Sequence, residues 1–520
     1  MQNTESATKR TLYSSSIMLV NVVIKIIANM ILIRIVLEYI GQTQFGIWII
    51  LQSIVIYLGL SEFGLGQTIM NYQGRAYALD NKERVNTLLS TAFCLYWLII
   101  VPVWLLCIGL TFLLPIPDLL LYNPSSEIIA VFNRSLFVFM TITLFTIPLT
   151  VFPATLSGLR DLHVRQLYEL FLPFLMLLIV FITLYLGGKI FAIIVATGLV
   201  QIVFGIGSYL ILRIRHPFVK LSLRNWDPKL MPSLISNSAF FFLMSITLIV
   251  QRSSGNILVG HFTEIVNVSQ IFPILLIFRV IGWSVIDLLS RPMQPYIILF
   301  GVSNDKKDKL TFLMKLSVKI SFSLALIFAA EVWIFGKDFL RLWLGANIFI
   351  GYVPLIFLTG SFLVDIFFLP MCNFLVALNR HKRIASVMLI YSVLTLFGGI
   401  LGAICEQKDP LLGICIGFFV ASFLGQGVIM SIVCAFELEI KIIKFFKEFI
   451  AKSLLLLIGA MIVMYLFFLI GPSEIWKNIF YGMFVIIIIY TISWVFVIDR
   501  DERKWINNKY KEILRPLSSH

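Results

Sequence analysis

The chain is poor in charge. Asp, Glu, Lys and Arg make up 13% of its 520 residues, about half the share of a soluble domain, so it has too little polar surface to enclose a large water-soluble core. Histidine occurs only five times, scattered, and neither a paired-histidine metalloprotease spacing nor a glycine-rich phosphate loop is present. Cysteine occurs six times with no CxxC-type spacing, which speaks against a cysteine-held metal or a redox pair and implies no cofactor. Cys94, Cys107, Cys372, Cys415 and Cys434 fall in apolar segments and read as packing; Cys405 and Cys415 flank one short loop and leave a bond between them open. Long hydrophilic stretches are missing too. No connection between apolar runs exceeds about 20 residues, too short for a folded domain outside a membrane.

Hydrophobicity is what the chain has in quantity: 59% of the residues are apolar and the mean hydropathy is +0.97. Stretches of about 20 apolar residues give roughly fourteen candidate spans. They begin near Thr11, Thr43, Asn86, Glu127, Val164, Lys189, Lys229, Glu264, Leu310, Ile350, Ile384, Leu411, Phe449 and Lys477. Lys9 and Arg10 precede the first, but Lys25 and Arg34 interrupt it and no small-residue cleavage site follows, so it reads as a retained helix.

The net charge of +14 is a topology signal. Arg75, Lys82 and Arg84, then Arg160 and Arg165, then the run from Arg213 to Lys229, then Lys306, Lys307 and Lys309 occupy alternate turns; the intervening turns carry few cations. This asymmetry continues to the end of the chain. It predicts an even number of spans with both termini cytoplasmic and requires no nucleic-acid partner. Before the last two spans, residues 437–452 alternate paired apolar residues with Lys441, Lys444 and Lys447. This pattern predicts an interfacial helix anchored on membrane lipids.

Two segments roughly 226 positions apart match in spacing, as expected of a duplicated transporter. Ile31, Leu32, Ile33, Glu38, Thr43 and Gln44 follow Lys25, and Ile257, Leu258, Val259, Glu264, Ser269 and Gln270 follow Arg252, with the cations one position out of that register. The first copy runs into Gly41-Gln42-Thr43-Gln44-Phe45-Gly46-Ile47-Trp48 and then Tyr57-Leu58-Gly59-Leu60-Ser61-Glu62-Phe63-Gly64-Leu65-Gly66. A short aromatic motif, Phe339-Leu340-Arg341-Leu342-Trp343-Leu344-Gly345, follows the ninth span. On these stretches and the span pattern, the chain resembles the polysaccharide flippase (Wzx-like) branch of the multidrug, oligosaccharidyl-lipid and polysaccharide exporter superfamily.

The resemblance implies an all-α integral membrane protein with two six-helix lobes around a central cavity and two accessory helices. The corresponding layout is a first lobe at 1–213, a cytoplasmic linker at 214–228, a second lobe at 229–436, the interfacial helix at 437–452, accessory spans at 450–498 and a basic tail at 499–520. It also implies a bacterial inner (cytoplasmic) membrane location. The implied function is transfer of polyprenyl-diphosphate-linked oligosaccharide to the outer leaflet for O-antigen or another surface polysaccharide, alongside a polysaccharide polymerase and other assembly proteins. No catalytic signature accompanies the family.

A charge inside the bilayer costs several kcal/mol unless it faces protein or water, so intramembrane ions are the candidate site. Lys25 lies about halfway along the first span, Arg252 in the outer half of the seventh, Arg279 about halfway along the eighth, and Arg134 nearer the outer surface. As cavity cations these suit a diphosphate; the competing reading pairs each within the bundle or lets it snorkel. Asp365, deep in the tenth span, and Glu331, near the end of the ninth, are candidates for coupling to a proton or cation or for charge balance, and Glu62 for a gate. Pairs at i, i+4 spacing, Arg34 with Glu38 and Asp287 with Arg291, read as structural. Two other functions stay open: ion-coupled export of amphipathic drugs, and a membrane polymerase or ligase. Asp499-Arg500-Asp501 superficially resembles a glycosyltransferase acidic pair, but a tail of roughly 20 residues offers no nucleotide pocket.

Overall fold

The structure is a computed structural model and describes residues 2–283, 307–345, 348–377, 381–438 and 503. Every regular element among the described residues is helical. That is the solution open to an apolar segment in hydrocarbon, where each backbone N–H and C=O must find its partner within the same segment or in a closed barrel. Nine helical stretches among the described residues are long and apolar enough to cross a membrane. One of them, Val20–Ala78, has 59 residues, about 88 Å of helix at 1.5 Å per residue and enough for two crossings. Residues 439–502, which include the expected accessory spans and most of the expected interfacial helix, lie outside the described residues, as do Asp287 and Arg291. Cys405 is exposed and Cys415 buried, and no disulfide joins them in the structure.

The chain divides into two compact units. The first comprises Met1–Phe272, Trp343–Gly345 and Ala403–Ile414. Its helices are α1 (Gln2–Leu58), α2 (Leu65–Ala78), α3 (Lys82–Leu113), α4 (Ile116–Leu120), α5 (Ser126–Thr146), α6 (Val151–Gly158), α7 (Leu162–Glu169), α8 (Phe171–Tyr185), α9 (Ile190–Arg215) and α10 (Met231–Phe262). Leu65, Ile69, Leu89, Tyr96, Val151 and Leu156 are buried together where α2, α3 and α6 pack. Leu106, Phe112, Leu113, Phe171 and Leu178 point outward and are exposed, the reverse of a water-soluble surface and the expected face toward lipid.

One residue breaks the long first helix. Gly41 alone leaves helical geometry, at φ +76° and ψ 170°, a conformation open to a residue without Cβ. The second copy of the repeat breaks at Thr263 and Glu264, between α10 and α11 (Ile265–Leu276). Helix, break and helix therefore occur twice, displaced by about one turn from the sequence register. The second half of α1 packs on α10: Asn256 Nδ2 donates to Ser53 Oγ at 3.0 Å. Close by, the Tyr122 N–H donates to the Gly260 carbonyl at 2.9 Å, and Gly46 lies directly on the backbone of Ile265. The Trp343 indole N–H, from the aromatic motif, donates to the Met30 carbonyl at 2.8 Å.

The basic stretch after α9 is strapped along α3. Asn86 Nδ2 donates to the Phe218 carbonyl at 3.0 Å and its Oδ1 accepts from the Lys220 N–H at 2.8 Å. Ser90 Oγ accepts from the Ser222 N–H at 3.2 Å, and Thr91 Oγ1 from the Asp227 N–H at 3.0 Å. A stretch whose only regular structure is two short 3₁₀ turns, Leu223–Asn225 and Pro228–Leu230, thus has several of its backbone groups satisfied by side chains of the helix beside it.

The second unit contains α11 from Pro273 onward, α12 (Lys307–Leu344, apart from its last residues), α13 (Tyr352–Ala377), α14 (His381–Cys405, up to Gly402), α15 (Pro410–Ser422, from Cys415) and α16 (Ser431–Leu438). Two π-helical segments interrupt it, Ile277–Gly282 after α11 and Phe423–Met430 between α15 and α16. Gly398 and Gly417 meet backbone to backbone, and Gly360 receives the ring of Phe419, the small-residue contact by which membrane helices pack closely.

Asp161, in the bend between α6 and α7, holds the end of α9. Its carboxylate accepts from Arg215 Nε at 3.2 Å and lies 3.0 Å from His216 Nε2. Burial pushes the carboxyl up, but the hydrogen bonds and charges of Arg215 and His216 outweigh it and hold Asp161 below the usual carboxylate range. A depressed carboxyl contributes stability above its unfolded value, and this is lost as pH falls through the folded value. Asp161→Asn is expected to lower stability in detergent at neutral pH by on the order of 1 kcal/mol. The difference from wild type should shrink on acidification below about pH 4; thermal melts of both proteins across that range check it.

Candidate functional site

The second unit concentrates polar groups at one place between apolar helices. Asp365 and Ser361 lie one turn apart on α13, Tyr391 comes from α14, and Ser422 is the last residue of α15 before the π-helical segment. The Tyr391 hydroxyl donates to Asp365, with its oxygen 2.8 Å from Oδ1 and 3.0 Å from Oδ2. Tyr391 Oη is also 2.7 Å from Ser422 Oγ, which is 2.5 Å from Ser361 Oγ. A phenol has one proton. While Asp365 accepts it, Ser422 must donate to Tyr391, and Ser361 can donate to Ser422 or to the Phe418 carbonyl at 3.3 Å. If Asp365 takes up a proton, the same chain of hydroxyls can run in the opposite direction. Gly425 leaves room for the Tyr391 ring against the backbone.

Arg279 stands beside this cluster. It lies in the first π-helical segment, its guanidinium is 5.2 Å from the Phe418 ring centroid, and its charge acts on Asp365. A stacked, planar cation near a carboxylate is stable in a low-dielectric setting where an isolated charge is not. Both candidate ions of this region, Arg279 and Asp365, are thus brought together. In the second π-helical segment, buried Gln426 donates to Met388 Sδ at 3.5 Å, and its Oε1 has no hydrogen-bond partner among the described residues. Such segments widen a helix and redirect its side chains, and they recur at functional sites.

In the first unit the structure gives Lys25 a counter-ion. Its Nζ is 3.7 Å from Glu169 Oε2 on α7, and Arg165 Nε donates to Glu169 Oε1 at 2.6 Å. Arg165 Nη1 also reaches Ser157 Oγ at 3.0 Å. Glu62 closes the 3₁₀ turn Gly59–Glu62, after which Phe63 and Gly64 adopt left-handed geometry and start α2 in a new direction. Its carboxylate folds back to accept from the Gly66 N–H and bonds the buried Tyr96 hydroxyl, with Arg165 near enough to act on it electrostatically. Thr150 Oγ1 is 3.5 Å from Tyr96 Oη.

The remaining candidates are separate from these clusters. Arg134 is exposed on α5 with its guanidinium 4.2 Å from the Phe191 ring centroid. Glu331 is half-buried in α12, with no ion-pair partner among the described residues. Arg252 belongs to α10, and its side chain lies outside the described residues. Sequence reasoning missed Glu169, Tyr391, Ser361 and Ser422 and treated Arg165 as a loop charge. The i, i+4 spacing of Arg165 and Glu169 was available as a signal. A tyrosine or serine among apolar residues carries none, since both are ordinary packing residues in membrane helices.

No protein-family model matches the sequence, and no curated protein matches it by sequence similarity. Solved structures do match in fold. The lipid II flippase MurJ in an inward closed conformation superposes with a TM-score of 0.67 at 14% identity, covering 94% of this chain and 100% of that one. An inward-facing multidrug resistance MATE family transporter of the MOP superfamily gives 0.66 at 15% identity over 81% and 96% of the two chains. A MOP superfamily transporter from Pyrococcus furiosus, described as having a binding pocket of reverse polarity, gives 0.53 at 17% identity over 83% and 97%. The chain has the all-α membrane fold of these transporters.

The hydroxyl chain in the second unit predicts a measurable coupling. Tyr391→Phe keeps the ring but removes the bridge, and is expected to cost about 1–3 kcal/mol of stability. Combined with Asp365→Asn, the double variant should lose less than the sum of the single losses, by at least about 0.5 kcal/mol. Detergent melts of the four proteins test this; additive losses would show that the two groups do not act as a unit.

Proposed function

We propose that the protein is a flippase that moves a polyprenyl-diphosphate-linked oligosaccharide from the cytoplasmic to the outer leaflet of a bacterial inner membrane, for O-antigen or another surface polysaccharide. The observation that carries this reading is the retention of cations within apolar helices, Lys25 on α1 and Arg279 beside Asp365, in a fold shared with a lipid II flippase. Ions in hydrocarbon are costly and persist where a function needs them. An anionic headgroup supplies that need. In this reading, with lobes at 1–213 and 229–436, Lys25, Arg252, Arg279 and Arg134 contribute the positive charge along the substrate's path. Sugar hydroxyls and diphosphate cross along that path, shielded from hydrocarbon, while the polyprenyl tail stays in lipid. Both termini are cytoplasmic in this reading, and no bond is made or broken.

Asp365 with Tyr391, Ser422 and Ser361 supports a coupling role, because the cluster can accept or release a proton by reversing its hydroxyls. Glu331 and Glu62 are the further acidic candidates, for coupling and gating respectively. The drug-exporter reading draws on the same fold, seen in the MATE transporters. A cationic drug would find Lys25 and Arg279 repulsive, so the anionic substrate is preferred.

Depletion is expected to trap lipid-linked oligosaccharide in the inner leaflet, as scored by its inaccessibility to an enzyme acting only on the outer face. An unchanged leaflet distribution with lost polymerisation would favour the polymerase reading instead. With α1 assigned to the proposed first lobe and α10 to the proposed second, alternating access in this reading opens the α1–α10 contact. In a background without native cysteines, an oxidised Ser53→Cys/Asn256→Cys pair should stop flipping, and reduction should restore it; full activity of the crosslinked protein would rule out movement at that contact.

A further inference from the structure

We propose that Glu169 is a resident counter-ion that holds Lys25 ready for a diphosphate and gives it up when the diphosphate arrives, with Lys25 as the contacting cation and Glu169 as the positioning residue. The proposal rests on the substrate class inferred above and names how one part of that site works. Its first support is the pattern of exposure around α1. Val20, Val23, Ile27 and Ile31 are exposed at 52%, 49%, 52% and 45% and form one apolar stripe. Lys25 and Asn29 are exposed as well, yet lie roughly 160–200° around the helix from that stripe. An apolar exposed face suits lipid. A polar exposed face on the opposite side suits a hydrated space, because a lysine and an asparagine in hydrocarbon would each lose solvation without return.

The second support is the asymmetry of the ion pairs. Arg165 holds Glu169 Oε1 at 2.6 Å, whereas Lys25 approaches Oε2 only to 3.7 Å, with its side chain 46% exposed. Lys25 therefore keeps donor capacity toward the open side, while Arg165 is fixed by both Glu169 and Ser157. Asn21, also on α1, donates to the Gln166 carbonyl at 3.2 Å and clamps α1 to α7 at this level. The clamp fixes Lys25 near Glu169, which prevents the long side chain from snorkelling to an interface. A phosphate oxygen can replace Oε2 at Lys25 without disturbing the shorter Arg165 contact, and Asn29 on the same face adds a neutral donor. Glu62, whose carboxylate also acts on Arg165, keeps that second cation partly neutralised, so the free positive charge is that of Lys25.

Binding of farnesyl diphosphate to the purified full-length protein tests this independently of flipping. Lys25→Gln should weaken binding about tenfold, and Glu169→Gln should tighten it several-fold by removing the competitor. The double variant Lys25→Gln/Glu169→Gln should bind as weakly as Lys25→Gln, because Glu169 acts only through Lys25. Should Glu169→Gln fail to fold, Glu169→Asp keeps the charge for Arg165 but withdraws it from Lys25, and should also tighten binding. Weaker or unchanged binding in the Glu169 variants, or a gain that persists without Lys25, would overturn the proposal. Inorganic pyrophosphate should compete only weakly; competition equal to that of farnesyl diphosphate would assign the site to free phosphate and refute a lipid-linked ligand. Normal diphosphate binding with normal outer-leaflet delivery in a depleted strain would sink the flippase reading while leaving this site standing.

Discussion

The constraint on which the structure depends is the cost of a charge in hydrocarbon. A carboxylate or ammonium buried without compensation forfeits far more solvation than one hydrogen bond restores, so each ion inside the spans must have a partner or face water. Lys25 has Glu169, Glu169 has Arg165, Arg279 has the Phe418 ring and the field of Asp365, and Asp365 has the Tyr391 hydroxyl. Even Arg134, exposed on α5, lies over Phe191. These partnerships tie specific helices together, α1 to α7 in the first unit and α13 to α14 and α15 in the second.

The same constraint shapes the backbone. Chain within the spans is helical because no other local arrangement satisfies its N–H and C=O groups, and the departures are few and placed. Gly41 breaks α1 in a single residue, Phe63 and Gly64 redirect the chain after Glu62, and π-helical segments carry Arg279 and follow Ser422. Several of these departures adjoin a polar cluster. A helix that bends or widens beside polar side chains can reorient them without exposing backbone to lipid.

Outside the spans the balance of forces changes. Asp161 with Arg215 and His216, and the strap of 216–230 held by Asn86, Ser90 and Thr91, are ordinary aqueous-boundary interactions. Each contributes modestly, yet together they fix a stretch that composition alone would leave as a flexible basic linker. The cations that mark topology in the sequence therefore also serve in structure, Arg215 through Asp161 and Arg165 through Glu169.

By itself the sequence determined that this is an all-α membrane protein. Scarce charge and repeated apolar runs of about 20 residues leave no alternative in water, and helix is the local answer in lipid. It also singled out Lys25, Arg279 and Asp365, because an ion among apolar residues is conspicuous in one dimension. Tertiary structure alone decided what those ions touch. Glu169 lies far along the chain from Lys25, and Tyr391 and Ser422 belong to different helices from Asp365, so no local periodicity reports the contacts. Hydropathy fixes which segments enter the membrane; which faces meet is set by small differences in side-chain packing and hydrogen bonding between helices that are, toward lipid, nearly interchangeable.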